Sequence, residues 1–207
     1  MLEIKGICKS YYGRQVLAPT DLALPSGCCM GLTGENGSGK STLLRLLAQV
    51  ERPDGGDILY RGVSVLGDRK FMRQCVGYVP QNQDLMEDLT VARQLKLWQS
   101  ACDLKGPMPG DILELMGIGP MMSARICTLS GGMQRRVSIA MALMSKPDIL
   151  IMDEATTGLD KGYREDLLLW LKNYLRQGGR MIWCSHHRQE LEMLCDRSLR
   201  IEDGRLL

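Results

Sequence analysis

The chain has 207 residues, 44% of them hydrophobic and 24% charged, with a formal net charge of +2. That length buries a real core in one domain, or two at most. The near-neutral charge argues against a nucleic-acid or anionic-membrane surface, and a single Phe leaves little for base stacking. Eight cysteines are scattered without a C-x-x-C pair, so metal-ligand spacing is missing and reduced, buried thiols of a cytosolic protein are expected. No apolar run reaches the roughly 18 residues of a membrane span. Met1-Leu2-Glu3-Ile4-Lys5 lacks the apolar core of a signal peptide.

Leu2 and Ile4 alternate with Glu3 and Lys5, which predicts a strand. Lys9 to Gly13 is a polar, aromatic turn; Gln15–Ala18 and Asp21–Leu24 read as two further short strands, and Pro25-Ser26-Gly27 as a turn. Cys28 to Thr33 is short and mostly apolar, as a buried strand would be. Gly34-Glu35-Asn36-Gly37-Ser38-Gly39-Lys40-Ser41 follows and fits G-x-x-x-x-G-K-[ST], with a helical run from Thr42 to Ala48 behind it. Strand, glycine loop and helix form the context of a phosphate-binding P-loop. Glycines let successive N–H groups turn toward phosphate oxygens, and the helix N-terminus adds free donors. Lys40 can reach the β- and γ-phosphates, and the Ser41 hydroxyl can ligate Mg²⁺.

Arg52 to Asp57 ends the P-loop helix and leads into a small hairpin from Ile58, with turns at Gly62 and Gly67. Val76–Val79 is a strand broken by Pro80-Gln81. From 84 to 126 the composition is helical. Thr90 can cap a helix whose Val91, Leu95, Trp98 and Cys102 share a face, and a second helix around Ile112 to Met116 is closed by Gly117. The methionines here (Met108, Met116, Met121, Met122) are expected to fill the core rather than form a docking face. Ser130-Gly131-Gly132 opens a helix running to about Ser145. Ile149–Met152 is fully apolar, fit for a central parallel strand, and delivers Asp153-Glu154 to its C-terminal end. Residues 163–177 form an amphipathic helix ended by Gly178-Gly179. Met181–Cys184 is the next buried strand, delivering Ser185-His186-His187. A short helix from Arg188 to Cys195 and a hairpin of Leu199–Ile201 with Arg205–Leu207 complete the chain.

Phosphoryl transfer asks a protein mainly for positioning and charge neutralisation. Asp153, behind four apolar residues, suits a carboxylate that holds Mg²⁺, and Glu154 could polarise an attacking water. A GTPase would carry N-K-x-D for guanine, which Asn36, Asn82 and Asn173 do not provide.

Leu129-Ser130-Gly131-Gly132-Met133-Gln134-Arg135-Arg136 resembles the signature motif of ABC-type ATPases. Tyr78-Val79-Pro80-Gln81 looks like the Q-loop, Gly158-Leu159-Asp160 like the D-loop, and Ser185-His186 like the switch-histidine loop. Tyr11, with Val16 after it, matches the adenine-stacking A-loop, with Tyr12 as the alternative. The resemblance runs over the whole chain. It implies an α/β fold: a P-loop core with a mostly parallel sheet, an N-terminal antiparallel β subdomain and a helical signature subdomain. As one domain over 1–207, the core would take 1–83 and 146–207, and the helical part 84–145. The resemblance further implies that Tyr11 stacks on adenine and that Gly34 to Ser41 wraps the phosphates, with Thr42 near the α-phosphate. Ser41 and Gln81 would ligate Mg²⁺ with Asp153 behind it, Glu154 would be the general base, and His186 would contact the γ-phosphate. In this family two cassettes pack head to tail, so that Ser130, Gly131 and Gly132 of one cap the nucleotide of the other and Asp160 couples the two sites. Ala155 departs from the family's usual Pro, and His187 from a common Asp.

The expected partners are a second copy of the chain and a separately encoded membrane permease, met near Leu85, Met86 and Leu89, with the cassette on the cytoplasmic face of the membrane. The chain's length resembles bacterial export-type cassettes, including the haem-exporter kind, more than sugar importers. A non-transport ABC ATPase acting on ribosomes or DNA is the alternative, although a coiled-coil insertion or a second cassette would usual accompany it.

Overall fold

A computed structural model describes residues 1–207 as two sheets flanked by helices. The first sheet is antiparallel, ordered β2-β1-β4-β5, from β1 (Leu2–Tyr11), β2 (Arg14–Leu24), β4 (Gly55–Tyr60) and β5 (Val63–Ser64). The alternation at the N-terminus holds over Leu2 and Ile4, both buried, and a register shift in the pairing then brings Ile7 inward. The two short strands expected over 15–24 are one strand. Pro19 does not break it, because β2 is an edge strand, where a missing N–H costs no ladder bond.

The second sheet is ordered β10-β9-β3-β8-β7-β6. Its strands are β3 (Cys29–Thr33), β6 (Val76–Val79), β7 (Ile149–Asp153), β8 (Arg180–Cys184), β9 (Arg197–Glu202) and β10 (Arg205–Leu206). All pairings are parallel except β9 with β10, the final hairpin. Every residue of β7 and β8 is buried: the apolar runs Ile149–Met152 and Met181–Cys184 are covered on both faces, and the charged Asp153 and Arg180 are buried at their ends. Ile149, Ile151, Ile182 and Cys184 join a core with α1 (Lys40–Leu47) and the antiparallel sheet. Leu150, Met152, Met181 and Trp183 join a second core with the helical layer.

That layer contains α3 (Val91–Ala101), α4 (Gly110–Leu115), α5 (Gly131–Leu143), α6 (Lys161–Arg176) and α7 (Arg188–Leu194). Thr90 caps α3, its hydroxyl accepting from Arg93 N–H at 3.4 Å. Met116 and Met121 are buried in the core, with Met108 and Met122 packed against it, as core filling predicts. The span 84–126 is less helical than its composition suggests, since α3 starts only at Val91 and the rest includes two 3₁₀ turns at Gly119–Met121 and Ile126–Thr128. One helix escapes the sequence reading. α2 (Arg69–Cys75) buries no residue and so carries no apolar period; its signal is Asp68, whose carboxylate accepts from Lys70 and Phe71 N–H. The P-loop helix also ends earlier than expected, at Leu47, with Gln49 at φ 48°. The expectation of buried thiols is corrected: Cys29, Cys102 and Cys184 are buried, Cys127 is exposed, and the other four are half-buried.

Candidate active site

Four adjacent parallel strands point their C-terminal ends the same way: β3 runs into the glycine loop, β8 into Ser185-His186, β7 ends at Asp153, and β6 runs into Pro80-Gln81. In an open parallel sheet this edge is where ligands bind. The chain therefore collects these side chains by topology, although they lie far apart in sequence.

A cavity of about 330 Å³ opens at this edge, lined by Val16, Asn36, Gly37, Gly39, Lys40, Ser41, Thr42, Gln81, Asp153, Glu154 and His186. A wider groove of about 630 Å³ continues along Glu35 to Ser38, with Arg14, Val16 and Arg200 to Gly204 on its far wall. The loop's shape depends on glycine. Gly39, the residue before α1, takes φ 111°, and a Cβ there would meet the Val16 carbonyl at 2.8 Å. Gly34 lies at φ 142° against the Ile201 carbonyl. Lys40 is buried, and its ammonium donates to the Gly34 and Glu35 carbonyls at 2.7 and 2.8 Å.

Asp153 is 2% exposed, and its Oδ2 has no hydrogen-bond partner. Glu154 follows at φ 52°, a left-handed backbone at a non-glycine residue. Its N–H donates to the Cys184 carbonyl at 2.9 Å, its Oε2 accepts from the Thr157 hydroxyl at 3.4 Å, and its Oε1 lies 3.4 Å from His186 Nε2. His186 is otherwise exposed to the cavity mouth. The carboxylates are felt around them: burial first, then Asp153 and Glu154, push the Cys184 thiol well above its ordinary range, and burial with Asp153 pushes the Tyr78 hydroxyl up to about 12.

Other predicted residues lie outside this cavity. The Tyr11 hydroxyl donates to Glu51 at 2.6 Å, and Tyr11 lines neither groove at the loop; Tyr12 is fully exposed at φ 50°. Ser130 caps α5, its hydroxyl accepting from Met133 N–H at 3.3 Å. Gly131 is exposed and Gly132 half-buried, and a Cβ on Gly132 would collide with the Gly158 carbonyl. Asp160 precedes α6 and is exposed. The signature turn and the Gly158–Asp160 turn thus pack on each other, apart from the P-loop cavity of their own chain.

Sequence reasoning passed over Arg135. It is buried on α5 and donates to the Pro80 and Gln81 carbonyls, both at 2.6 Å. Burial pulls its guanidinium below the ordinary range, against the pull of Asp153 and Glu154. In sequence Arg135 is one of two adjacent arginines, and nothing local says which one turns inward.

The family profile described as "ABC transporter" matches residues 17–157. A Nod factor export ATP-binding protein I from Ralstonia nicotianae is 36% identical, covering 99% of this chain and 65% of that protein. The linearmycin resistance ATP-binding protein LnrL of Bacillus subtilis is 34% identical, over 100% of this chain and 68% of its own length. The chain spans about two thirds of the length of such relatives. A solved ATP-binding subunit of an ABC transporter superimposes with a TM-score of 0.90 at 26% identity, over 100% of this chain and 88% of that one. A dimeric ATP-binding cassette in a post-hydrolysis state, bound to ADP and phosphate, gives 0.86 at 25% identity, over 100% and 98%. The P-loop, the carboxylate pair and the signature turn therefore stand in the fold of a known family, and the chain belongs to the ABC transporter family of ATP-binding subunits.

Proposed function

We propose that this chain binds and hydrolyses ATP and that the hydrolysis powers export through a separately encoded membrane permease. The observation that carries the ATPase reading is the single cavity in which Lys40, Ser41, Gln81, Asp153, Glu154 and His186 converge. Gly34 to Thr42 cradle the phosphates, with Lys40 turning from loop carbonyls to phosphate oxygens. Tyr11 would reach adenine by swinging from Glu51 toward Val16. Glu154 accepts a proton from the attacking water. The water oxygen bonds to the γ-phosphorus, the bridging P–O bond breaks, and ADP leaves with the electron pair. His186, beside Glu154, orients the γ-phosphate.

The donors also fit a Mg²⁺ ion. Asp153 Oδ2 is a buried oxygen without a partner, and Ser41 and Gln81 share its cavity. Oxygen donors of this kind suit a hard cation. Ser41, Gln81 and Asp153 would hold it, and it would supply positive charge to the phosphates.

The separated signature turn supports a head-to-tail pair in which Ser130, Gly131 and Gly132 of one copy close over the nucleotide of the other, with Asp160 at the seam. The dimeric neighbour with ADP and phosphate fits this arrangement. No helix here is long and apolar enough to cross a membrane. The reading assigns the permease to a separate chain, with this subunit on its cytoplasmic face. Its docking place is an apolar groove of about 390 Å³ between the core and the helical layer, walled by Leu85, Trp98, Val76 and Met141, with Arg73 and Asp84 among its lining residues. Export as the direction rests on the names of the Nod factor and linearmycin relatives.

Two measurements test the reading. Phosphate release from ATP by the purified chain should depend on Mg²⁺; its absence would refute the ATPase assignment. Affinity purification from gently solubilised membranes should recover an integral membrane protein in equal amount. Recovery with ribosomes or DNA-repair proteins instead would replace transport by the soluble alternative.

A further inference from the structure

Glu190, in the first turn of α7, belongs to none of the motifs above, yet it is 1% exposed and surrounded by donors. The Ser185 hydroxyl donates to its Oε2 at 2.7 Å, and the Thr156 hydroxyl donates to the same oxygen at 3.0 Å. Arg164 brings Nε and Nη2 to Oε1, each at 2.8 Å. A charge this deep is tolerated only when paired and hydrogen-bonded, and these four donors meet that demand.

The donors come from three separate segments. Thr156 is two residues past Glu154. Ser185 directly precedes His186, and its oxygen also accepts the His187 N–H at 3.0 Å. Arg164 is one turn into α6, the helix that follows Gly158-Leu159-Asp160. One buried carboxylate therefore ties together the segments that carry Glu154 and His186, whose side chains stand 3.4 Å apart. Glu154 has a left-handed backbone at φ 52°, a strained conformation that persists only where the surroundings enforce it; the Thr156 bond is part of that enforcement.

We propose that Glu190 is a positioning residue for hydrolysis. It touches neither nucleotide nor water. It holds the Glu154 and His186 segments in mutual register, and it relays the position of α6 to both. This rests on the ATPase reading above.

Three variants test it: Glu190→Gln, which keeps the shape but leaves one acceptor oxygen; Thr156→Val, which cuts the tie to Glu154; and Ser185→Ala, which cuts the tie to His186. The last two leave the Glu190–Arg164 pair intact and keep the test available if Glu190→Gln folds poorly. Each should lower kcat by about 10–100-fold, the range seen when a group that orients a functional residue is lost. ATP affinity by calorimetry should be unchanged, because Lys40 and Ser41 lie on separate elements. Amide exchange should quicken over both 154–157 and 185–187 in Glu190→Gln. That variant's kcat loss should also shrink in a Glu154→Gln background, because the two act through one path. Wild-type kcat in all three variants would overturn the proposal. So would full additivity with Glu154→Gln, or unchanged exchange in both segments. A wild-type chain that binds ATP without turning it over would refute the ATPase reading alone, and the exchange measurement would then decide the tie by itself.

Discussion

At the residue scale the site divides labour between two neighbouring carboxylates. Asp153 ends β7 within the strand's regular geometry, buried and with one oxygen unpartnered. Glu154 leaves that geometry at φ 52°, which turns its carboxylate toward His186. Glu154→Gln keeps the shape and the phosphate cradle but cannot take a proton. Its kcat should fall about 10²–10⁴-fold, the contribution of a general base, with ATP binding by calorimetry retained. Turnover near wild type would remove Glu154 from that role. Lys40→Ala removes the one buried ammonium at the loop. A charged hydrogen bond is worth about 1.5–3 kcal/mol, so ATP affinity should fall about 10–100-fold. An unchanged dissociation constant would mean that the backbone N–H groups carry the phosphates without it.

At the element scale, strand ends and helix starts do the positioning, and much of this was legible in sequence. The apolar runs of β7 and β8 announced buried parallel strands, and the residues after them announced chemistry. Thr90 and Ser130 announced helix starts, because a hydroxyl at that place satisfies an orphan N–H. Thr90→Ala should cost about 1 kcal/mol, seen as a lower urea midpoint at unchanged slope. An unchanged midpoint would show that α3 is held by Val91 and Leu95 packing alone. Gly132→Ala should impair activity more than stability, because the added methyl meets the Gly158 carbonyl and separates two turns at the surface. Equal loss in both, by kcat and thermal midpoint, would mean that the clash spreads into the core. What sequence hid were partnerships across long separations. Arg135 with the Pro80-Gln81 carbonyls, Glu190 with Thr156 and Arg164, and Tyr11 with Glu51 leave no local period or spacing. α2 was hidden for the opposite reason: none of its residues is fully buried, Phe71 packing only in part against the core, so it shows no apolar period.

At the scale of the whole molecule, the parallel sheet is shared by two cores. Alternate residues of β7 and β8 serve opposite sides, so neither the helical layer nor the antiparallel sheet has a complete interior without that wall. Unfolding should therefore be one cooperative transition in calorimetry, with equal van't Hoff and calorimetric enthalpies. Two resolved transitions would show that the helical layer folds by itself. The alternation has a further consequence for inheritance. Leu150, Met152, Met181 and Trp183 answer to the helices; Ile149, Ile151, Ile182 and Cys184 answer to the P-loop helix and the antiparallel sheet. Neighbours in the gene are thus strangers in selection. A lineage adapting its helical layer to a new partner can rewrite every second codon of two strands while the letters between them, which back the phosphate loop, stay as they were.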